Sequence, residues 1–464
     1  MKIKILLLGV LFSTLLTAQN NNNFELSKNL EIYADIMRKL NLQYADDIKP
    51  GDLSKTAIDA MLNKLDPYTV YVPESQLEDF ELMTKGEYGG IGALIQQQEG
   101  YVVVTEPYEG FPAQKAGLKA GDRIVEIDGE SAIGKSSSQV SEKLKGVPGS
   151  DINIIVMPFN DSVKISHQLK REKIKFPNIP YYGMLDNDVA YISLMQFNPN
   201  SGTEVKQALI DLKEKYNPKG LILDLRNNGG GLLNEAVNIV NIFVPKGELV
   251  VTTKGKLKES TIIHKTKTTA LDKKIAVVVL VNENTASASE IVAGALQDMD
   301  RGVVVGQKTF GKGLVQNVLP LPYNSKIKIT VAKYYIPSGR CIQAIDYFNT
   351  IKTDENGKIP DSLLTVFKTK GGREVFDGAG IFPDISVDPI RFSQISADLY
   401  AGNYIFNYCN KFVFENPVID SAASFTISDD TYNDFKNFVA KQDFDYLTET
   451  EMLIERIKSS AERE

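Results

Sequence analysis

A serine and a lysine in the middle of the chain are the residue types best suited to chemistry. Residues 285–290 read TASASE ahead of an apolar stretch, and Lys312 stands between two glycines in residues 310–316, FGKGLVQ. A serine hydroxyl needs a base to become a nucleophile, and a desolvated lysine whose pKa is lowered can serve as that base. This pattern suggests Ser287 or Ser289 as a nucleophile and Lys312 as its base.

Two other features bear on that hypothesis. The chain contains only two histidines, His167 and His264, so a Ser–His–Asp arrangement has few candidates. The structural alternative is that Ser287 and Glu290 form the capping box that begins many helices, with Lys312 an ordinary strand lysine. Side chains two residues apart on a helix point roughly 200° apart, so only one of the two serines can meet Lys312.

A glycine-rich loop could supply further groups. Residues 224–231, DLRNNGGG, join an apolar strand to a helix. Gly229 and Gly230 allow a backbone N–H to approach a substrate without interference from a side chain. Ala288 offers another N–H at a helix start, where the helix dipole favours negative charge. Such donors suit the oxyanion that develops on an attacked carbonyl group.

The elements around these loops alternate between strand and helix. Apolar strands are predicted at 189–194, 220–225 and 275–281, and helices at 202–216, 232–243 and 287–299. This alternation predicts an α/β core. Open α/β sheets place their sites in loops beyond the carboxyl ends of the strands, which is where Gly229 and Ser287 both fall.

Residues 85–172 resemble a PDZ domain. The resemblance rests on the ordered pattern in residues 112–129, PAQKAGLKAGDRIVEIDG, after a glycine-rich loop. Such a domain captures an extended peptide tail along an exposed strand edge, and its loop N–H groups hold the terminal carboxylate. The residues expected to bind peptide are Gly89, Gly90, Ile91 and Gly92.

The chain also resembles the C-terminal processing peptidases, or tail-specific proteases, which use a Ser/Lys dyad. The resemblance covers roughly residues 85–390. It rests on residues 224–231, 285–290 and 310–316, together with PSGR at 337–340 and GIFPD at 380–384.

The resemblance implies a role for each candidate residue. Ser287, rather than its rival Ser289, is the nucleophile, and Lys312 is the base. Gln316 orients the lysine, because two residues four apart on a strand face the same way. The implied oxyanion hole comes from the backbone N–H groups of Ala288 and of Gly229 or Gly230. Glu290 supports the nucleophile loop, and neither a metal nor an organic cofactor is required.

The predicted fold class is multidomain α/β (α+β), with an α/β peptidase core, a mostly β PDZ domain and helical terminal regions. The chain has 464 residues and 43% apolar content, enough for several cores. The expected ranges are 1–18 for a signal peptide, 24–84 for an N-terminal helical region, 85–172 for the PDZ domain, 173–392 for the peptidase core and 393–464 for a C-terminal helical region.

The first residues predict export, to the periplasm. Lys2 and Lys4 precede an apolar run at residues 5–16, and small residues follow at 17–18. No stable membrane span is expected after cleavage; an uncleaved N-terminal anchor is the alternative. Cys341 and Cys409 could pair in an oxidising compartment or remain free thiols.

The expected partners are protein or peptide substrates with free, apolar C-termini. A net charge of −7 argues against a nucleic-acid partner. Helical regions on both sides of the core are compatible with a homodimer. Two other functions stay open: a non-catalytic PDZ scaffold, and a Ser/Lys hydrolase of small esters or amides.

Overall fold

The computed structural model describes residues 2–77, 80, 87–185, 188–347, 359–421, 424–442, 444–446 and 448–463. The chain divides into two compact units. One comprises residues 1–75, 315–331 and 347–350, and the other comprises residues 76–314, 332–346 and 351–464.

The first unit begins with helices α1 (Lys2–Gln43) and α2 (Pro50–Leu62) and strand β1 (Val70–Val72). Pro50 suits a helix start, because its missing N–H would have no partner there. The buried carboxylate of Asp66 then accepts the N–H of Thr69 at 2.8 Å, in a turn that leads into β1. The region predicted to be helical, residues 24–84, therefore also contains a strand, β1, and its residues 78–79 and 81–84 lie outside the described residues.

A β-rich region occupies residues 87–175. Its elements are β2 (Glu87–Gly90), β3 (Ala93–Gln98), β4 (Tyr101–Pro107), α3 (Pro112–Lys115), β5 (Arg123–Ile127), β6 (Glu130–Ser131), α4 (Ser137–Leu144), β7 (Asp151–Met157), β8 (Ile165–Lys170) and β9 (Glu172–Lys175). The main sheet has the order β3-β4-β5-β7-β8, and β2 pairs with β9. Val140 and Leu144 of α4 share an apolar core with the partly buried Ile95 of β3. Within the described residues, β3 pairs with β4 alone, so its other edge is open.

The next region contains a mixed sheet flanked by helices, strands of a second sheet and a separate two-stranded pair. Its elements are β10 (Tyr181–Leu185), β11 (Val189–Ser193), α5 (Ser201–Tyr216), β12 (Gly220–Asp224), α6 (Leu233–Phe243), β13 (Leu249–Gly255), β14 (Ile262–Lys265), β15 (Ala276–Val281), α7 (Ala288–Asp298), β16 (Val303–Gly306), β17 (Leu314–Pro320), β18 (Lys326–Tyr335), β19 (Val366–Lys368), β20 (Glu374–Phe376) and β21 (Ile385–Ser386). The predicted mixture of α/β and α+β architecture is confirmed.

The sheet order is β10-β11-β12-β15-β16-β21. All its neighbours are parallel except β10, which runs antiparallel to β11. Three loops therefore leave the same edge of the sheet: 225–232 after β12, 282–287 after β15 and 307–313 after β16. Helix α7, which follows the second loop, is buried along its whole length.

Strand β18 contributes to both units. In the first unit, Val70–Val72 of β1 pair antiparallel with Lys326–Lys328. In the second, β13 pairs with residues 332–335. β1 therefore depends on pairing with residues that are far away in the sequence, and the local sequence pattern cannot reveal such pairing.

The C-terminal residues form helices α8 (Gln394–Ala401), α9 (Tyr404–Glu415), α10 (Asp429–Ala440) and α11 (Glu449–Ala461). The Tyr408 ring packs against Phe435 at a centroid distance of 5.1 Å. The Gln98 amide at the end of β3 donates to Asn407 Oδ1 at 2.9 Å. Cys341 and Cys409 are both free thiols. Over the described part of the chain, no helix combines the length and apolar character needed to cross a membrane.

Candidate active site

Ser287 stands immediately before α7 in a strained backbone conformation. Its φ is 58° and its ψ is −116°, a region that residues with a side chain rarely adopt. Strain of this kind costs about 1–3 kcal/mol and persists only where surrounding contacts impose it. The Ser287 carbonyl accepts the Ile291 N–H at 3.0 Å, which begins the helix as predicted. The half-buried serine is thus held in place by its neighbours.

Glu290 connects the serine loop, residues 282–287, to the lysine loop, residues 307–313. Its carboxylate is fully buried and accepts four hydrogen bonds. Oε1 accepts the Thr309 hydroxyl at 2.5 Å and the Gly311 N–H at 2.8 Å. Oε2 accepts the Ser287 N–H at 2.8 Å and the Lys312 N–H at 2.9 Å. A single side chain therefore fixes two loops that follow different strands.

The environment of Glu290 also sets its ionisation. Burial raises the pKa of Glu290 to about 7, although the donors from Thr309, Lys312, Ser287 and Gly311 oppose that rise. All four bonds are accepted by the carboxylate, so the arrangement fits the ionised form. With a pKa of about 7, the ionised form gains population as pH rises through neutrality.

Lys312 lies in a tightly bound loop, whereas the sequence predicted a strand. Gly311, with φ of 85°, turns the chain before β17 starts at Leu314. The Gly311 carbonyl accepts the Ala344 N–H at 2.9 Å. The Gly313 N–H donates to Gln343 Oε1 at 2.7 Å. The peptide groups on both sides of the half-buried lysine are thereby fixed.

The glycine loop after β12 lies directly against the serine loop. The Asn228 carbonyl accepts the Ala286 N–H at 3.0 Å and the Ser289 hydroxyl at 2.9 Å. The Gly230 N–H donates to Asn228 Oδ1 at 2.9 Å. The Gly230 N–H is therefore already engaged in a hydrogen bond within its own loop. Gly229 is the better candidate for the second oxyanion donor.

Gly230 packs so closely against the serine loop that an added methyl group has no room. Its φ is 98°, and a Cβ there would lie 2.7 Å from the Ala286 carbonyl oxygen and 2.8 Å from both Ala288 N and Ser287 Cβ. We expect Gly230→Ala to lower kcat/KM at least about 100-fold, because the two loops must separate.

Gly229→Ala is the matched control for stability, since a Cβ at Gly229 meets no atom within 4 Å. Thermal unfolding followed by circular dichroism should show a lower Tm for Gly230→Ala and a nearly unchanged Tm for Gly229→Ala. Wild-type activity in Gly230→Ala would contradict the close packing of these loops.

Ser289 occupies a different environment from Ser287. It is fully buried, and its hydroxyl donates to the Asn228 carbonyl. A hydroxyl engaged in this way holds two loops together and is shielded from a substrate. The geometry therefore favours Ser287 over its rival.

Two further sequence motifs stabilise the lysine loop and the C-terminal end of α7. In the motif at residues 380–384, the Ile381 N–H donates to Thr309 Oγ1 at 2.7 Å, and so orients the hydroxyl that binds Glu290. In the motif at residues 337–340, the buried Arg340 guanidinium donates to Asp298 Oδ1 at 2.8 Å, at the far end of α7. These contacts fix the lysine loop and the helix that carries Glu290.

Gln316 and the predicted peptide-binding residues 89–92 lie in or next to strands. Gln316 lies in β17 in the first unit, and its amide donates to Thr330 Oγ1 at 3.3 Å. Because β17 begins after Lys312, the strand argument for Gln316 orienting the lysine does not apply, and that role stays a prediction. Gly89 and Gly90 lie in β2 rather than in a loop. Ile91 is buried, and Gly92 has φ of 71°.

Tyr334 is a site residue that the sequence did not indicate. It lies on β18, is 1% exposed, and its hydroxyl donates towards the carbonyl oxygens of Ser287 and Lys312. In sequence it looks like any aromatic residue of a strand. Thr309 was missed for the same reason, because its partners Glu290 and Ile381 are distant in the chain.

Family comparisons agree with this architecture. Residues 188–356 match the description "Peptidase family S41". Residues 103–156 match a PDZ domain. Residues 395–464 match "Probable PDZ-protease, C-terminal helical domain".

Similar proteins carry related names. The chain is 35% identical over 328 residues to a carboxy-terminal-processing protease of Bartonella bacilliformis, covering 70% of this chain and 75% of the relative. It is 36% identical over 318 residues to a probable CtpA-like serine protease of Staphylococcus aureus, covering 68% of this chain and 62% of the relative. The solved photosystem II D1 C-terminal processing protease is 29% identical, with a TM-score of 0.43, covering 80% of this chain and 90% of that one.

An α/β core joined to a PDZ domain, with relatives of this kind, defines a serine-type protease. The chain belongs to peptidase family S41, alongside carboxy-terminal processing proteases, and the family predicted from its motifs is confirmed.

Proposed function

We propose that this protein is an exported endopeptidase that binds the C-terminal tail of a protein and cleaves near it, using Ser287 as nucleophile and Lys312 as general base. The observation that carries the proposal is the shared acceptor Glu290 Oε2, which binds the N–H groups of both residues at 2.8 and 2.9 Å. Because one atom accepts both bonds, the backbones of the serine and the lysine must lie side by side.

In the acylation step, neutral Lys312 takes the proton of the Ser287 hydroxyl while the oxygen attacks the scissile carbonyl carbon. Negative charge develops on the carbonyl oxygen, where the Ala288 N–H at the start of α7 and the Gly229 N–H act as donors. The carbon–nitrogen bond then breaks, and Lys312 returns its proton to the departing amine. The acyl-enzyme remains on Ser287.

Water completes the reaction. Lys312, now neutral again, takes a proton from a water molecule that attacks the ester carbonyl. The same donors stabilise the second oxyanion, the bond to Ser287 breaks, and the serine oxygen regains a proton from the lysine. The products are a new carboxylate and a regenerated enzyme.

The PDZ domain supplies a place for the substrate tail. The open edge of β3 can pair with an extended peptide, and α4 packs on the same core as β3. A peptide strand alternates its side chains, so one apolar side chain can contact the partly buried Ile95. The segment from Gly89 to Gly92 would hold the terminal carboxylate.

An unfolded peptide with an apolar last residue, supplied with either a free carboxylate or a C-terminal amide, tests the function. We expect cleavage of the free acid near its end, detected by mass spectrometry. The amide should lose roughly 10-fold or more in kcat/KM, because a charge-assisted hydrogen bond is removed. A short ester substrate that does not reach the PDZ groove is the control.

Each alternative predicts a different result. A PDZ scaffold without activity would bind the acid and cleave neither peptide. A hydrolase of small esters would act on the ester and leave both peptides intact. Equal cleavage of the acid and the amide would support the protease activity and contradict recognition of the terminal carboxylate.

The N-terminal segment supports export. Its charged start, apolar run and small residues at 17–18 are those of a cleavable signal. N-terminal sequencing of protein from the periplasmic fraction should begin close to Gln19, and a chain that retains Met1 would instead support an uncleaved anchor.

Helix α1 supports a homodimer. Leu26, Leu30 and Tyr33 form one stripe and are 61%, 61% and 40% exposed. A second copy could cover that stripe, and sedimentation at micromolar concentration should show a dimer. A single monomeric species would exclude it.

A further inference from the structure

Tyr334 touches both catalytic segments at once. Its side chain is 1% exposed, and its hydroxyl lies 3.1 Å from the carbonyl oxygen of Ser287. The same hydroxyl donates to the carbonyl oxygen of Lys312. These acceptors belong to loops that follow two different strands, β15 and β16. A single phenol group therefore bridges them.

The backbone of Tyr334 is fixed to the lysine loop as well. Its N–H donates to the Gly313 carbonyl at 2.9 Å. On the other side, Tyr334 pairs with Thr253 across the sheet. These contacts fix the backbone from which the Tyr334 ring projects.

Tyr334 and Glu290 act on opposite ends of the same two residues. Glu290 Oε2 accepts the N–H groups of Ser287 and Lys312, while the single O–H of Tyr334 is shared between their two carbonyl groups. The donor and the acceptor of both residues are therefore engaged by two buried side chains. Together, the contacts with Glu290 and Tyr334 restrain movement of the Ser287 backbone relative to the Lys312 backbone.

We propose that Tyr334 is a positioning residue, which holds Ser287 and Lys312 at the separation needed for proton transfer. The proposal rests on the proposed Ser287/Lys312 mechanism and adds a residue that acts through both without touching the substrate. A displacement of about 1 Å between reacting groups can cost 100-fold in rate, so loss of the bridge should affect the chemical step.

The experiment compares Tyr334→Phe with wild type in the full-length chain. We expect kcat for peptide cleavage to fall about 10- to 100-fold, with KM changed less than about twofold, because substrate contacts are retained. The rate of covalent labelling of Ser287 by a small fluorophosphonate should fall by the same factor. Circular dichroism at the assay temperature checks that the variant is folded.

Tyr335→Phe is the matched control. It removes the same hydroxyl one residue further along β18, where the side chain points to the opposite face and its ring lies 4.2 Å from Lys254 Nζ. We expect its kcat and its labelling rate to match those of wild type.

A second comparison separates positioning from stability. In a Lys312→Ala background, Tyr334→Phe should cause little further loss of labelling, because there is no base left to position. A purely structural role would lower labelling by the same factor in both backgrounds.

The outcomes are distinct. Wild-type protein that is not labelled at Ser287 would overturn the proposed function itself. Labelled wild type together with an equally reactive, folded Tyr334→Phe would overturn the positioning role alone.

Discussion

Replacing Ser287 by alanine should abolish peptide cleavage, with kcat lowered at least about 10⁴-fold. The reason is chemical, because no acyl-enzyme can form without the hydroxyl. Ser289→Ala should leave cleavage within roughly 10-fold of wild type, since it removes one buried hydrogen bond to the Asn228 carbonyl. Initial rates on an unfolded peptide measure both variants.

Active-site labelling separates the two serines directly. A fluorophosphonate should modify wild type and Ser289→Ala and leave Ser287→Ala unmodified, with the site read by peptide mass spectrometry. Label that persists in Ser287→Ala and disappears in Ser289→Ala would transfer the role to Ser289.

Glu290→Gln should lower kcat/KM by at least about 100-fold although no catalytic atom is removed. The carboxylate accepts four donors, whereas an amide offers one oxygen and two N–H groups of its own. An amide nitrogen in place of Oε2 faces the N–H groups of Ser287 and Lys312. In place of Oε1 it faces the Gly311 N–H and the Thr309 hydroxyl. The serine and lysine loops should then separate.

Glu283→Gln is the control for this charge change. Glu283 lies in the serine loop just before α7 and is exposed, so its amide should leave kcat/KM and Tm nearly unaffected. If Glu290→Gln retained full activity, the shared carboxylate would not be what holds the two loops together.

The pH dependence follows from the pKa of Glu290, which burial raises from 4.5 to about 7. The folded state therefore holds this proton more tightly than the unfolded state. Its contribution to the free energy of unfolding is complete below pH 4.5 and is lost as pH rises through 7. Denaturant titrations should show the stability of wild type relative to Glu290→Gln falling across this range.

Activity should change in the opposite direction over the same range. The ionised carboxylate is the form that accepts all four donors, so wild-type kcat should rise through about pH 7. Wild-type activity that is constant between pH 5 and pH 8 would contradict this assignment.

Much of the site could be predicted because its signals are local. The helix start at Ser287, the glycine loop at 229–231 and the alternation of strands and helices each depend on a few neighbouring residues. Near-continuous apolar strands also indicate that the two loops leave one edge of the sheet.

What could not be predicted depends on contacts between distant residues. Lys312 looked like a strand residue, but Gly311 adopts a positive φ that a periodic pattern does not reveal. The sequence did not indicate β1 within the region predicted to be helical, because the residues it pairs with, Lys326–Lys328, are distant in the chain. Tyr334 contacts Ser287 across 47 positions, and no spacing within β18 distinguishes it from its neighbour Tyr335.

The separation of these residues along the sequence has a consequence for folding. Asn228 and Ser289 are 61 positions apart, and Glu290 and Lys312 are 22 apart. Contacts of high sequence separation form late, because the entropy of closing long loops must be overcome first. A chain still folding should therefore carry both reactive residues and yet be inert towards its surroundings. In mild denaturant, proteolytic activity should disappear before the helices melt.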